Sequence, residues 1–307
     1  MIDGGFPIPA SFAERMRGVY GVAAADDWLA RLPGIVEQVA EEWGLVVGPP
    51  VANLSFTWVA PAERRDGARA MLKVGYPDAE TWPGVEMLRL CDGRGMVRLL
   101  EADREFGATL LERLEPGTML RAVEGDDEAM AIAADVMAEM WQPEPAAHGF
   151  PHVADWARGL ARLRERFDGG TGPLPRWLVE QAEALFAELL PSMSALVVLH
   201  GDLHHENILA ASRAPWLAID PKGIVGEPAY EPGALLRNPI PEIATMPQLP
   251  RLLSRRIDLL SERLDLDRQR VRGWGIAQAV LSAWWDIDDE TGGWEIPIAC
   301  AEALVAV

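Results

Sequence analysis

The chain is short of cysteine, of basic residues and of long apolar runs, and each shortage narrows what it can be. Its two cysteines, Cys91 and Cys300, stand far apart and form no Cys-x-x-Cys pair. That excludes a disulfide framework and zinc-finger spacing, and a reduced, cytoplasmic protein is the expectation. No apolar stretch approaches the ~20 residues that a helical membrane span needs. Residues 1–10 carry neither a basic region nor an apolar one, so no secretory leader is expected there. Lys and Arg total 28 against 47 Asp and Glu, a formal charge of −19. So acidic a surface repels phosphate backbones and anionic lipid, which argues against nucleic acid and membranes as partners. It attracts a small cation, although solubility alone accounts for the charge equally well.

What is present is material for a core. Hydrophobic residues make up 49% of 307, enough for two bodies of ordinary size. Apolar periodicity predicts a helix over 26–43, interrupted at Pro33-Gly34. Strands follow at 45–47, 55–60 and 69–74, with a polar turn over 61–67. A helix over 81–91 and strands at 96–100 and 109–114 complete the first part. Glu115-Pro116-Gly117 then breaks the pattern. Beyond it helices are expected over 126–141, 153–167, 176–190, 251–264, 271–285 and 295–305, with short strands at 196–199 and 216–219. The expectation is an α+β chain: a small β-sheet lobe over 1–115, a hinge at 111–117, and a mostly helical lobe over 116–307.

The chemistry concentrates in residues 200–209, His-Gly-Asp-Leu-His-His-Glu-Asn-Ile-Leu, which follow an apolar strand. Transfer of a phosphoryl group to a hydroxyl needs one carboxylate to orient that hydroxyl and take its proton. It also needs a separate oxygen ligand for Mg²⁺. Asp202 and Asn207 suit these roles, and their interval matches the catalytic loop of protein kinases. Thirteen positions on from Asn207, Asp220 ends the apolar run 216–219, where a second metal contact belongs. A rival reading makes His200, His204 and His205 a metal site, but Gly201 after a strand disfavours the helix it needs.

Residues 200–209 with 217–227 resemble the aminoglycoside-phosphotransferase superfamily. The run Trp-Leu-Ala-Ile-Asp-Pro-Lys-Gly-Ile-Val-Gly-Glu-Pro over 216–228 is similar to its streptomycin 6-kinase and hydroxyurea-kinase branch. Segments 70–73, 96–100 and 110–117 read the same way. The resemblance implies a protein-kinase-like bilobal fold, ATP and Mg²⁺ as cofactors, and a small-molecule acceptor. It implies that Lys73 holds the nucleotide phosphates and that Glu86 pairs with Lys73, Glu80 being a nearby competitor. It also places adenine on the backbone of Glu112 and Leu114. The loop 49–55 would cover the phosphates with the help of the Ser55 hydroxyl. It lacks the Gly-x-Gly-x-x-Gly of protein kinases, and two prolines remove donors from it. Asp220 is followed by Pro221-Lys222 rather than Phe-Gly, and no long activation segment follows, which argues against a protein substrate.

For the acceptor, Glu227, Glu231, Trp285 and Asp286 are the first candidates, joined by Tyr230, Trp284, Asp288, Asp289 and Glu290. Acids and aromatic faces suit the guanidinium groups of a streptomycin-like molecule. The branch commonly has Asp-Pro-x-Phe-Asp where this chain has Glu227-Pro228-Ala229-Tyr230-Glu231, so the acceptor is open to hydroxyurea or a metabolite alcohol as well. A nucleotide-binding protein without catalysis is the remaining alternative, and the joint presence of Lys73, Asp202, Asn207 and Asp220 argues against it.

Overall fold

The computed structural model describes residues 8–78 and 81–307. Glu80 and most of the segment read for a leader lie outside the described residues. The chain divides into two compact units. One runs from the N-terminal residues to Gly93 and resumes over Val97–Glu115; the other joins Arg94–Met96 to Pro116–Val307.

The first unit opens with α1 (Ala10–Tyr20), which the sequence reading did not foresee, and α2 (Val22–Trp43). Ala25, Trp28, Leu29, Leu32, Val36 and Val39 recur at helical spacing along α2 and bury one face. Pro33 does not interrupt this helix. A proline inside a helix costs about 3 kcal/mol, while burying each flanking aliphatic contributes about 1.5–3 kcal/mol, so Leu32 and Val36 outweigh it. Gly44, in the left-handed region at φ 65°, ends the helix.

Then come β1 (Leu45–Val47), β2 (Thr57–Arg64), β3 (Arg69–Gly75), α3 (Trp82–Cys91), β4 (Leu99–Asp103) and β5 (Ala108–Glu112). The strands make one antiparallel sheet in the order β1-β2-β3-β5-β4. β2 runs on through Pro61, which the sequence reading gave to a turn. Pro61 is tolerated because it sits where β1 ends, with only Gly48 N approaching its carbonyl at 2.8 Å. The turn itself tightens to residues 65–68, closed by Arg64 N to Ala68 O at 2.9 Å. β4 starts later than expected, because Met96 belongs to the second unit, where it bridges Ala218.

The second unit contains β6 (Pro116–Met119), α4 (Asp126–Met140), β7 (Gln142–Pro143), α5 (Val153–Arg166), α6 (Arg176–Leu189) and β8 (Val197–Leu199). It continues with β9 (Ile208–Ala211), β10 (Trp216–Ala218), β11 (Ile224–Gly226), α7 (Gly233–Leu236), α8 (Leu249–Leu264), α9 (Arg268–Asp288) and α10 (Glu295–Val305). Two small antiparallel sheets, β10-β9-β6 and β11-β8-β7, are set among the helices. α9 is the centre of the core. It is buried around most of its circumference from Val271 to Trp284, as a helix packed on all sides must be. A five-stranded sheet unit and a largely helical unit are the expected α+β architecture. Among the described residues no helix is long and apolar enough to cross a membrane.

Candidate active site

β8 delivers the chain to His200, and β9 takes it away after Asn207. Gly201 makes the turn between them, at φ +82°. A Cβ there would lie 2.9 Å from Trp156 Cη2 and 3.0 Å from Ile224 Cγ2, so conformation and space both require glycine. His200 is fully buried; its Nδ1 accepts from Asp202 N at 3.2 Å, which leaves the proton on Nε2 to donate to Ile219 O at 2.7 Å. Burial pushes the His200 pKa down to about 4, so the ring is neutral at pH 7 and works as a fixed brace.

Further hydrogen bonds close the loop. Asn207 Nδ2 donates to Asp202 O at 2.9 Å, and Asn207 N to His204 O at 2.9 Å. Ile219 N reaches Asn207 O at 2.9 Å, and Lys222 N reaches His200 O at 2.8 Å. Asp220 sits between these last two anchors, exposed and at φ 59°, a conformation Asp tolerates better than most residues. Asp202, Asn207 and Asp220 are therefore held in one hydrogen-bonded framework. The Asp202 carboxylate stays half-exposed, with His204 Nε2 at 4.0 Å.

The three histidines do not converge on a metal position. His200 Nε2 is locked to Ile219 O at 2.7 Å, and among the described residues no cluster of possible metal ligands includes these three. Metal-ligating side chains do come together at Glu144, His148 and His152, with ligand atoms within 4.8 Å of one another. There His148 Nδ1 accepts from Phe150 N at 3.1 Å, so Nε2 carries the proton and donates to Glu144 Oε1 at 3.1 Å. A proton on Nε2 is incompatible with a metal on that atom, and His152 Nε2 lies 3.5 Å from the same Glu144 oxygen.

Two acceptor candidates are corrected. Glu231 is 2% exposed and accepts from His200 N at 2.7 Å and Gly201 N at 2.9 Å, so it braces the loop from beneath. Glu227 is 4% exposed and is engaged by Arg270 Nη2 at 2.6 Å and by the Trp274 indole. Their carboxylates are spent on the fold because their strand end and following turn run under the loop. Tyr230 and Trp284 are likewise core. Trp285 and Asp286 remain half-buried at the end of α9, and burial raises the Asp286 pKa to about 6 against the pull of Arg237. Trp285 meets Trp156 edge-on at 5.4 Å. Trp156, which abuts Gly201, carries no sequence signal beyond an apolar position on α5.

Burial also raises the Glu231 pKa from its ordinary 4.5 to about 7, with the two N–H donors offsetting part of the rise. A carboxyl raised on folding stabilises fully below about pH 4.5 and loses that contribution as pH climbs through about 7. Glu231→Gln turns an amide N–H₂ against a backbone N–H, an unsatisfied buried pair costing about 1–3 kcal/mol. Urea melts should show the wild-type advantage over this variant to be larger at pH 5 than at pH 7.5. The opposite trend would place the folded pKa below 4.5.

In the first unit, Lys73 lies half-buried on the central strand β3, opposite Val59 of β2 and Thr109 of β5. Glu86 is on α3, where its Oε1 takes Arg89 Nη1 at 2.6 Å in an exposed pair within the helix. The Glu112 side chain accepts from Arg98 N at 2.9 Å, and Glu112 N donates to Arg98 O at 3.0 Å. Leu114 follows β5, half-buried. Ser55 is exposed in the loop before β2.

Comparison with solved structures gives the fold. An aminoglycoside phosphotransferase in ternary complex with ADP and hygromycin B superposes with a TM-score of 0.61 at 12% identity, over 88% of this chain and 97% of that one. Choline kinase from Streptococcus pneumoniae gives 0.63 at 14%, over 90% and 100%. The fold is thus protein-kinase-like. In sequence, a streptomycin 6-kinase of Streptomyces glaucescens is 36% identical over 300 residues, 97% of this chain and 95% of the relative. A hydroxyurea phosphotransferase of Kitasatospora aureofaciens is 36% identical over 305 residues, 97% and 86%. The model of the aminoglycoside/hydroxyurea antibiotic resistance kinases matches residues 46–290, a span that takes in β3 with Lys73, the whole catalytic-loop framework and the end of α9, and to that family the chain belongs.

Proposed function

We propose that the chain is an ATP- and Mg²⁺-dependent O-phosphotransferase whose acceptor is a streptomycin-like aminoglycoside. The observation that carries this reading is the catalytic loop. Its backbone is fastened at His200, Asp202 and Asn207, while the Asp202 carboxylate is left to the solvent side. Asp202 orients the acceptor hydroxyl and takes its proton as the oxygen attacks the γ-phosphorus. Lys73, a point charge on a long stem, holds the nucleotide phosphates. Adenine rests on the backbone of Glu112 and Leu114.

Mg²⁺ fits the residues present. Asn207 commits Nδ2 to Asp202 O, which leaves Oδ1 as its ligand atom, and Asp220 adds a carboxylate, an all-oxygen set suited to a hard cation. Bound there, the ion neutralises charge on the phosphates. Trp285 and Asp286, with Trp156 beside them, receive the cationic acceptor, and the net charge of −19 favours its approach.

The test is ADP release by the purified protein with Mg-ATP, with and without streptomycin. Streptomycin should stimulate release, and stimulation should vanish in the Asp202→Ala variant. Hydroxyurea, the acceptor named for the Kitasatospora relative, is the second reading. Stimulation by hydroxyurea and not by streptomycin would move the assignment there, and no stimulation by either would leave both acceptors wrong.

A further inference from the structure

The loop over 49–56 contains no glycine, yet a phosphate-covering loop must present several backbone N–H groups on one side. An arginine from outside the loop supplies what glycine does not. α1 is anchored by Phe12 and Met16, both fully buried, with the Phe12 and Trp28 rings 6.2 Å apart. This leaves Arg15 on the exposed side of the helix. Its guanidinium donates to two successive carbonyls, from Nη2 to Leu54 O and from Nε to Ser55 O at 3.3 Å. Leu54 is itself buried, so the loop is pinned from both sides.

In a trans peptide the carbonyl of one residue and the N–H of the next point in opposite directions. Drawing the Leu54 and Ser55 carbonyls toward one guanidinium therefore turns the N–H groups of Ser55 and Phe56 away from it together. Neither N–H takes a hydrogen bond among the described residues, and both residues are exposed. A cation on the carbonyl side also polarises each peptide and strengthens its N–H as a donor. We infer that Arg15 is a positioning residue for the nucleotide, holding the Ser55 and Phe56 N–H groups in the orientation that receives the terminal phosphates of ATP; this rests on the kinase reading above. Arg15 acts through the loop and touches no substrate.

The test compares ATP and adenosine binding by calorimetry in the full chain, for wild type, Arg15→Met and Arg15→Lys. Arg15 is exposed, so neither change disturbs the core. Arg15→Met should weaken ATP by about 10-fold, the scale of losing hydrogen bonds from a charged donor. The KM for ATP should rise in parallel, with kcat at saturating ATP and adenosine affinity retained. Arg15→Lys, which lacks the planar fork, should fall between. Equal weakening of ATP and adenosine would mean that Arg15 merely holds the unit together, and unchanged ATP binding in Arg15→Met would mean it does nothing; either overturns the inference alone. A wild type that binds ATP no better than adenosine overturns the phosphate-binding reading and the inference with it.

Discussion

Asp202→Asn is expected to lower kcat by about 10²–10⁴-fold, the range that a positioned general base contributes, while leaving ATP affinity and unfolding midpoint close to wild type. The reason lies in which atoms of Asp202 the fold uses. Its N–H is bound to His200 Nδ1 and its carbonyl to Asn207 Nδ2. The carboxylate lies 4.0 Å from His204 Nε2 and takes no part in those backbone bonds. Replacing that carboxylate by an amide thus removes the proton acceptor and keeps the backbone framework that positions Asn207 and Asp220. Steady-state kinetics paired with ATP calorimetry make the measurement. Turnover within 10-fold of wild type would remove Asp202 from its role, and loss of ATP binding would make the residue structural.

Arg256→Met is expected to cost about 3–5 kcal/mol of stability in denaturant melts, the scale for breaking one side of a buried ion pair. Arg256 is 1% exposed on α8 and engages all three of its guanidinium nitrogens. Nη2 reaches Asp126 Oδ1 at 2.5 Å, and Nε lies 3.1 Å from both Asp126 oxygens. Nη1 reaches Leu235 O at 2.8 Å and Asn238 O at 2.6 Å. Methionine fills much of the volume but takes the guanidinium from the Asp126 carboxylate and from Asn238 O, while Leu235 O keeps Asn238 N at 3.3 Å. The neighbouring Arg255, also paired with the first turn of α4 through Asp127, is the control. It is exposed, solvent screens the pair, and Arg255→Met should be near neutral. Similar losses in the two variants would mean that burial does not set the strength of these pairs.

The sequence was legible where a local rule decides the outcome. α10 spans the expected residues, an apolar stretch that follows the Gly292-Gly293 break. β1 and β3 were legible for the same reason, lying between clear breakers. Local rules misled at Pro33 and Pro61. A buried helix face outweighs the penalty of Pro33, and the end of a neighbouring strand spares Pro61 its own. α1 was missed because its register of buried residues, Phe12 and Met16, is too short to stand out without the helix it packs on.

The candidate site divides in the same way. The spacing of Asp202, Asn207 and Asp220 could be read from the chain alone, since a loop between two short strands must carry its chemistry at near-constant intervals. The side to which each acid turns could not. Glu227 and Glu231 look in sequence like a solvent-facing acidic pair, and only packing shows that one meets Arg270 and the other the N–H groups of His200 and Gly201. Likewise nothing local joins Arg15 to Leu54 and Ser55, nearly forty residues on. The sequence by itself determined the order of elements and of chemical groups, because periodicity and spacing are properties of neighbours along the chain, and its motifs carried the resemblance that pointed to the family. Tertiary structure alone decided which carboxylates brace and which stay accessible, because that depends on partners that only folding brings within hydrogen-bonding distance.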